Sequence, residues 1–102
     1  MESFQINLMS LVLETNSNAN GEKLYKAMAE AIEAGKTIEL SLLNATPFST
    51  SFLNTSFGAL YENYGEETLK GRVKITNFQP TKRDQIINYL NSLRKVLMTK
   101  TY

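Results

Sequence analysis

The chain has 102 residues with 11 basic and 10 acidic side chains, and its net charge of +1 sets up no global field that steers it to nucleic acid or an anionic membrane. It has no cysteine and no histidine. That excludes disulfides, thiolate metal sites and thiol catalysis, and removes the commonest general base and metal ligand. The length suits one small domain, 1–102, and a hydrophobic share of 42% is enough for a core.

The N-terminus, Met1-Glu2-Ser3-Phe4-Gln5-Ile6-Asn7, has an early acid, no basic n-region and no long apolar stretch, so it does not read as a signal peptide. No apolar run reaches the ~20 residues needed to span a bilayer, and the expected compartment is the cytoplasm. Phe4, Ile6 and Leu8 alternate with Ser3, Gln5 and Asn7, and the alternation fails from Met9 onward. A strand over Phe4 to Val12 is expected, as one piece or as two short ones. Thr15 to Gly21 reads as a loop, since Asn, Ser and Gly favour turns. Gly21 to Ala34 reads as a helix, with Leu24, Ala27, Met28, Ala31 and Ile32 in one stripe. Asn20 is its expected N-cap and Gly35 its expected C′ residue. Thr37 to Leu43 sets Ile38, Leu40 and Leu42 against Glu39 and Ser41, a strand with one face in the core.

Pro47 disfavours helix at Thr46, so the next helix begins no earlier than Pro47. Leu53, Phe57, Leu60, Tyr61 and Tyr64 predict a helix from about Thr50 to Tyr64, stopped by Gly65. Its first half holds Ser51, Asn54, Thr55, Ser56 and Gly58, weak helix formers that packing must hold in place. Gly58 costs about 1 kcal/mol against Ala and permits another backbone to come close, from the sheet beneath or a partner above. Gly65 to Gly71 reads as a connection with room for one helical turn. Arg72 to Asn77 alternates as a strand. Thr81 is the expected cap of a last helix, with Asp84 in a capping-box position. Ile86, Ile87, Leu90, Leu93, Val96 and Leu97 form its stripe, and Arg94, Lys95 and Lys100 suit its C-terminal dipole. Strands alternating with helices predict an α/β fold, a mostly parallel or mixed sheet of about four strands packed against about three helices.

The chemistry concentrates at one junction, where Ser49, Thr50 and Ser51 follow a strand and open a helix. Without His or Cys, a nucleophilic hydroxyl there would need Lys, Asp or Glu as its base, and none lies within the stretch. Glu66-Glu67 reads as a solvated pair. The five glycines are isolated, so there is no Gly-rich phosphate loop. No catalytic residue, metal ligand or cofactor site is assigned, and a non-enzyme is expected. The hydroxyls suit two compatible uses. One can cap the helix, a contribution of about 1 kcal/mol. Another can accept a phosphate, which unpaired N–H groups and the helix dipole stabilise. A separate reading is a nucleic-acid patch built from Lys70, Arg72, Lys74, Lys82 and Arg83 with Phe78 among them. Its plainer counterpart has Arg72 and Lys74 as outward residues of an alternating strand.

The run from Thr46-Pro47-Phe48-Ser49-Thr50-Ser51-Phe52 through Phe57-Gly58-Ala59-Leu60-Tyr61 resembles the signature of a small bacterial STAS-like family of unknown function. In that family a strand leads to a serine-rich turn, a Phe, and a helix carrying Phe-Gly. The resemblance extends over most of the chain from about Asn20 onward. The family is similar to the STAS domains of anti-sigma factor antagonists. In those, a Ser or Thr at this junction is phosphorylated by a partner kinase, itself the anti-sigma factor, and phosphorylation breaks the complex. Against their Asp-Ser-Ser-Gly turn, Ser49 takes the Asp position, Thr50 the phosphoacceptor, Ser51 the second serine and Phe52 the glycine. The resemblance therefore implies a regulatory protein-interaction module whose partner is a histidine-kinase-like ATPase or anti-sigma factor. It implies Thr50, with Ser49 and Ser51 beside it, as the phosphoacceptor candidates, and Phe48, Phe52, Thr55 and Gly58 as partner contacts. A ligand-sensing STAS domain with a pocket at the same turn is the third reading.

Overall fold

A computed structural model describes residues 2–100, with side chains described as far as Lys95. Strands β1 (Ser3–Asn7), β2 (Thr37–Ser41) and β3 (Val73–Thr76) form a parallel three-stranded sheet in the order β1-β2-β3. The sheet is thus one strand narrower than expected among the described residues. The second short strand anticipated before Val12 is instead a single helical turn, α1 (Leu8–Leu11). Leu8 and Val12 lie one turn apart and are both buried, and the Val12 N–H closes the turn on the Leu8 carbonyl at 2.9 Å. Burying that pair on one face needs the helical period, which is why the alternation stops at Met9.

Helix α2 (Asn18–Glu33) starts before Gly21. Its cap is Ser17, whose hydroxyl accepts the Asn20 N–H at 3.2 Å, while the Asn20 side chain donates to the Glu14 carbonyl. Asn20 is therefore inside the first turn and not the cap. The helix ends as the sequence suggests. Gly35 has φ +76°, its N–H reaches the Ile32 carbonyl at 3.0 Å, and the Lys36 N–H reaches Ala31 at 2.9 Å. These paired reverse bonds need a left-handed residue, which glycine adopts without strain.

Helix α3 (Thr50–Leu53), a π turn (Asn54–Gly58) and helix α4 (Ala59–Tyr64) make one continuous rod. Gly65 ends it at φ +87°. The connection expected after it is helix α5 (Glu66–Arg72). Helix α6 (Pro80–Lys100) starts at Pro80, whose missing N–H costs nothing in a first turn. The Gln79 carbonyl receives the Lys82 and Arg83 N–H groups at 3.0 and 3.1 Å, so Thr81 lies within the helix and does not cap it. Val96, Leu97 and Lys100 lie outside the residues whose side chains are described.

Both connections join parallel neighbours, and right-handed crossovers put their helices on one face of the sheet. Ile38 and Leu40 point into that face and are fully buried with Leu24, Met28, Phe52, Phe57 and Leu60. The other face carries polar rows: Ser3 beside Thr37, Gln5 beside Glu39 and Lys74, and Asn7 beside Ser41 and Thr76. Strict alternation in β2 lets this parallel sheet leave one face to solvent.

Arg72, expected to point outward from a strand, closes α5 and turns its guanidinium onto the end of α2. Its Nη2 donates to the Lys36 carbonyl at 2.6 Å and to Ile32 at 3.2 Å, and its Nε donates to Lys36 at 3.1 Å. A cation at a helix C-terminus satisfies carbonyls that lack intrahelical partners. Tyr64 ties α4 to α2 by donating to Glu33 at 2.7 Å, and that bond pushes its pKa up to about 12.

Candidate functional site

The Ser49–Thr50–Ser51 junction is gripped from two sides. On one side stands Thr15, fully buried, with its hydroxyl 2.9 Å from the Thr46 and Pro47 carbonyls and 2.6 Å from the Thr46 hydroxyl. The Thr15 carbonyl accepts the Ser49 N–H at 3.0 Å. On the other side stands Gln85 of α6. Its Nε2 donates to the Phe48 carbonyl at 2.7 Å and its Oε1 accepts the Phe48 N–H at 3.4 Å. One side chain thus satisfies both main-chain groups of a buried loop residue, as a buried loop requires. The Phe48 ring stacks on Phe52, with centroids 5.7 Å apart and planes within 9°.

The three hydroxyls divide by role. Ser49 is half-buried and is the helix cap, accepting the Phe52 N–H at 3.0 Å. Thr50 occupies the first helical position and Ser51 the second, and both are exposed. Among the described residues, the hydroxyls of Ser49, Thr55 and Ser56 make hydrogen bonds, and those of Thr50 and Ser51 make none. Capping fixes the backbone at Ser49 and leaves the next hydroxyl on the surface, at the positive end of the rod.

The π turn follows from the hydroxyl-rich sequence. Thr55 donates back to the Ser51 carbonyl at 2.9 Å, and the buried Ser56 donates to the Phe52 carbonyl at 2.7 Å. Side chains that take carbonyls one turn back compete with the helical ladder. The ladder widens, and the Ala59 N–H reaches the carbonyl of Asn54, five residues earlier. Gly58 sits under Tyr89 of α6, whose hydroxyl donates to Asn54 at 2.5 Å. A Cβ on Gly58 would meet that hydroxyl. Within this chain the close approach at Gly58 is made by the Tyr89 side chain of the last helix, and not by the sheet. Burial, and then the charge of Glu62, raise the Tyr89 pKa.

Of the four expected partner contacts, Phe48, Phe52 and Gly58 are buried inside this chain, because they lie on the inward side of the junction. Thr55 is half-exposed and its hydroxyl is used internally. The surface of the junction end is apolar through other residues. Leu11, Leu13, Leu43 and Phe78 are 37%, 90%, 51% and 41% exposed. Each follows the carboxyl end of a strand, the end at which α3 begins. The sequence carried a signal for them. Leu42-Leu43 and Leu11-Val12-Leu13 are consecutive apolar residues, and only one of each run can face inward on a strand or a single turn.

Four of the five basic residues of the expected patch have separate contacts. Arg72 caps α2, Lys70 pairs with Glu66 at 3.9 Å, and Lys74 stands beside Glu39 on the open sheet face. Arg83 lies over the Phe78 ring at 5.4 Å, beyond the opposite end of β3. The large hollows lined by α5, α6 and the open sheet face do not include Ser49, Thr50 or Ser51. Among the described residues no cluster of three acidic, His or Cys side chains could hold a metal ion, and no helix is long and apolar enough to cross a membrane.

Residues 20–83 match the family model described as a STAS-like domain of unknown function (DUF4325). No curated protein and no solved structure gave a match. The matched segment runs from the first turn of α2 through the junction, the π turn, α5 and β3 into the start of α6, well over half of the chain. The protein belongs to the family of STAS-like domains of unknown function.

Proposed function

We propose that the protein is a cytoplasmic, non-enzymatic regulatory module that binds a protein partner at the carboxyl end of its sheet and is switched by phosphorylation of Thr50. The observation that carries this reading is the division of labour at the junction. Ser49 spends its hydroxyl on the cap, while Thr50 offers an exposed hydroxyl at the first helical position. A phosphate there would sit beside N–H groups of the first turn and the positive end of the helix dipole, which favours a dianion. The exposed Leu13, Leu43 and Phe78 at the same end are the contacts a partner would cover. A dianion brought into such an apolar interface must be desolvated without a paired cation, so phosphorylation weakens the complex. The likeness to anti-sigma factor antagonists makes the partner a histidine-kinase-like ATPase or anti-sigma factor, with Thr50 in the phosphoacceptor position. The lack of His and Cys supports a role without catalysis.

The test compares baits. Immobilised wild type and Thr50→Val retain a partner from native lysate, whereas Thr50→Glu retains about tenfold less, a difference of about 1.4 kcal/mol. Equal retention on Thr50→Glu would contradict the switch.

A further inference from the structure

We infer that the protein pairs with a second copy of itself along the free edge of β1, antiparallel and centred on Gln5, so that two three-stranded sheets join edge to edge. This does not rest on the proposed switch. Strand β1 is an edge strand, and among the described residues it pairs only with β2. The Thr37 N–H reaches the Glu2 carbonyl at 2.9 Å while Thr37 stands beside Ser3, so the main-chain groups of Glu2, Phe4 and Ile6 face β2. Those of Ser3, Gln5 and Asn7 face away from the sheet. No main-chain bond among the described residues takes up the Gln5 N–H or carbonyl. Edge strands are ordinarily blunted by charge, proline or brevity. The other edge, β3, is four residues long and bears Lys74. Strand β1 has five residues, Ser3-Phe4-Gln5-Ile6-Asn7, with neither a charge nor a proline.

The edge is complementary to itself. A two-fold axis at Gln5 sets Gln5 against Gln5, Ser3 against Asn7 and Phe4 against Ile6 of the second copy. Every pair then matches in kind, with polar side chains meeting on the open face and Phe4 meeting Ile6 on the helix side. Gln5 exchanges both main-chain bonds with its counterpart, and an aromatic ring beside a β-branched residue is a favourable cross-strand pair. A slip of one residue would set the apolar face of one sheet against the polar face of the other. The charges agree with this axis. Phe4 shares a shallow hollow with Ala27, Glu30 and Ala31 of α2, so the axis at Gln5 crosses near the middle of that helix. It runs the two α2 helices antiparallel. The exposed Lys23 and Lys26 of one copy then stand toward the exposed Glu30 of the other. The two junctions fall at opposite ends of the joined sheet, and both stay open.

Sedimentation equilibrium of the full chain tests the inference. The protein is expected to sediment at twice its 11.5 kDa at about 0.1 mM and to return toward monomer on dilution. Gln5→Pro removes no bond of the single fold, because that N–H faces outward, where an edge strand tolerates proline. It should leave the thermal midpoint of the dilute protein unchanged and weaken self-association about tenfold or more. The chain has no cysteine, so Gln5→Cys carries a single thiol. Directly opposed residues of a hydrogen-bonded antiparallel pair have Cα atoms about 5.5 Å apart, within reach of a disulfide. Mild oxidation with copper phenanthroline should link Gln5→Cys into covalent dimers. Lys74→Cys, on the same sheet face but on the far edge strand, should stay unlinked. A chain that remains monomeric at about 0.1 mM overturns the inference and leaves the edge to a strand of another protein. So does a dimer that Gln5→Pro leaves intact, or one in which Lys74→Cys crosslinks as readily as Gln5→Cys.

Discussion

Phe52→Ala lowers the free energy of unfolding by about 4 kcal/mol. Phe52 is fully buried and packs face to face on Phe48. Its N–H goes to the Ser49 hydroxyl and its carbonyl takes the Ser56 hydroxyl, so the backbone on both sides is fixed by polar groups. The main chain cannot sink into the space that the ring leaves, and a poorly relaxed cavity puts the cost at the upper end for such truncations. A small domain has about 5–15 kcal/mol in all, so this one change removes a large share. The thermal midpoint should fall by about 20 °C. Urea unfolding with an unchanged slope would locate the loss in the native state. A cost below about 2 kcal/mol would mean that the loop collapses freely and that the grip of Thr15 and Gln85 is weak.

Gly21→Ala is the second test, because two known effects oppose each other there. Alanine gains about 1 kcal/mol over glycine in a helix interior. Gly21 in α2, however, is buried against the rod of the junction. A Cβ at this position would stand 2.7 Å from the Phe52 carbonyl oxygen and would overlap the Thr55 hydroxyl. The carbonyl is main chain and holds the Ser56 hydroxyl, so it cannot swing aside. Overpacking of this kind costs about 1–3 kcal/mol, and packing wins over propensity. The net change expected in denaturant unfolding is a loss of about 1–2 kcal/mol. Adding Thr55→Ala should recover only part of it, since the carbonyl contact remains. Gly71→Ala is the control. It lies in α5 with nothing within 4 Å of an added Cβ, so propensity acts alone and the protein gains stability. A gain at Gly21 as well would remove the close approach of α2 to the junction.

Much of this arrangement was legible in the chain. The alternation from Ile38 to Leu42 marked β2 and the Leu24–Ile32 stripe marked α2, because both bury one face against a continuous core. Gly35 and Gly65 marked helix ends, and both adopt positive φ. The junction itself was visible as hydroxyls after a proline. What the sequence hid depends on contacts between segments distant along the chain. Nothing local says that Arg72 reaches back to the end of α2 or that Gln85 holds Phe48. The π turn also stayed hidden, since a helical period of 3.6 and a single widened turn differ little over five residues. The cap of α2 was misplaced by three residues because Ser17 and Asn20 are both good caps, and only the bond from Asn20 to Glu14 separates them. The partner contacts expected from the resemblance were Phe48, Phe52, Thr55 and Gly58, of which Phe48, Phe52 and Gly58 are buried and Thr55 is half-exposed. Which of them the junction exposes is set by contacts between distant segments, Gln85 and Tyr89 of α6 covering Phe48 and Gly58.

The measurement that bears most directly on the switch at Thr50 is phosphosite mapping by mass spectrometry. Protein from its native cells, or protein incubated with the captured partner and ATP, would be digested and the peptides covering 46–61 sequenced. The expected result is a phosphate on Thr50 that Thr50→Val abolishes and that does not move to Ser49, whose hydroxyl holds the helix cap. Full recovery of those peptides with no phosphate on Ser49, Thr50 or Ser51 would contradict it.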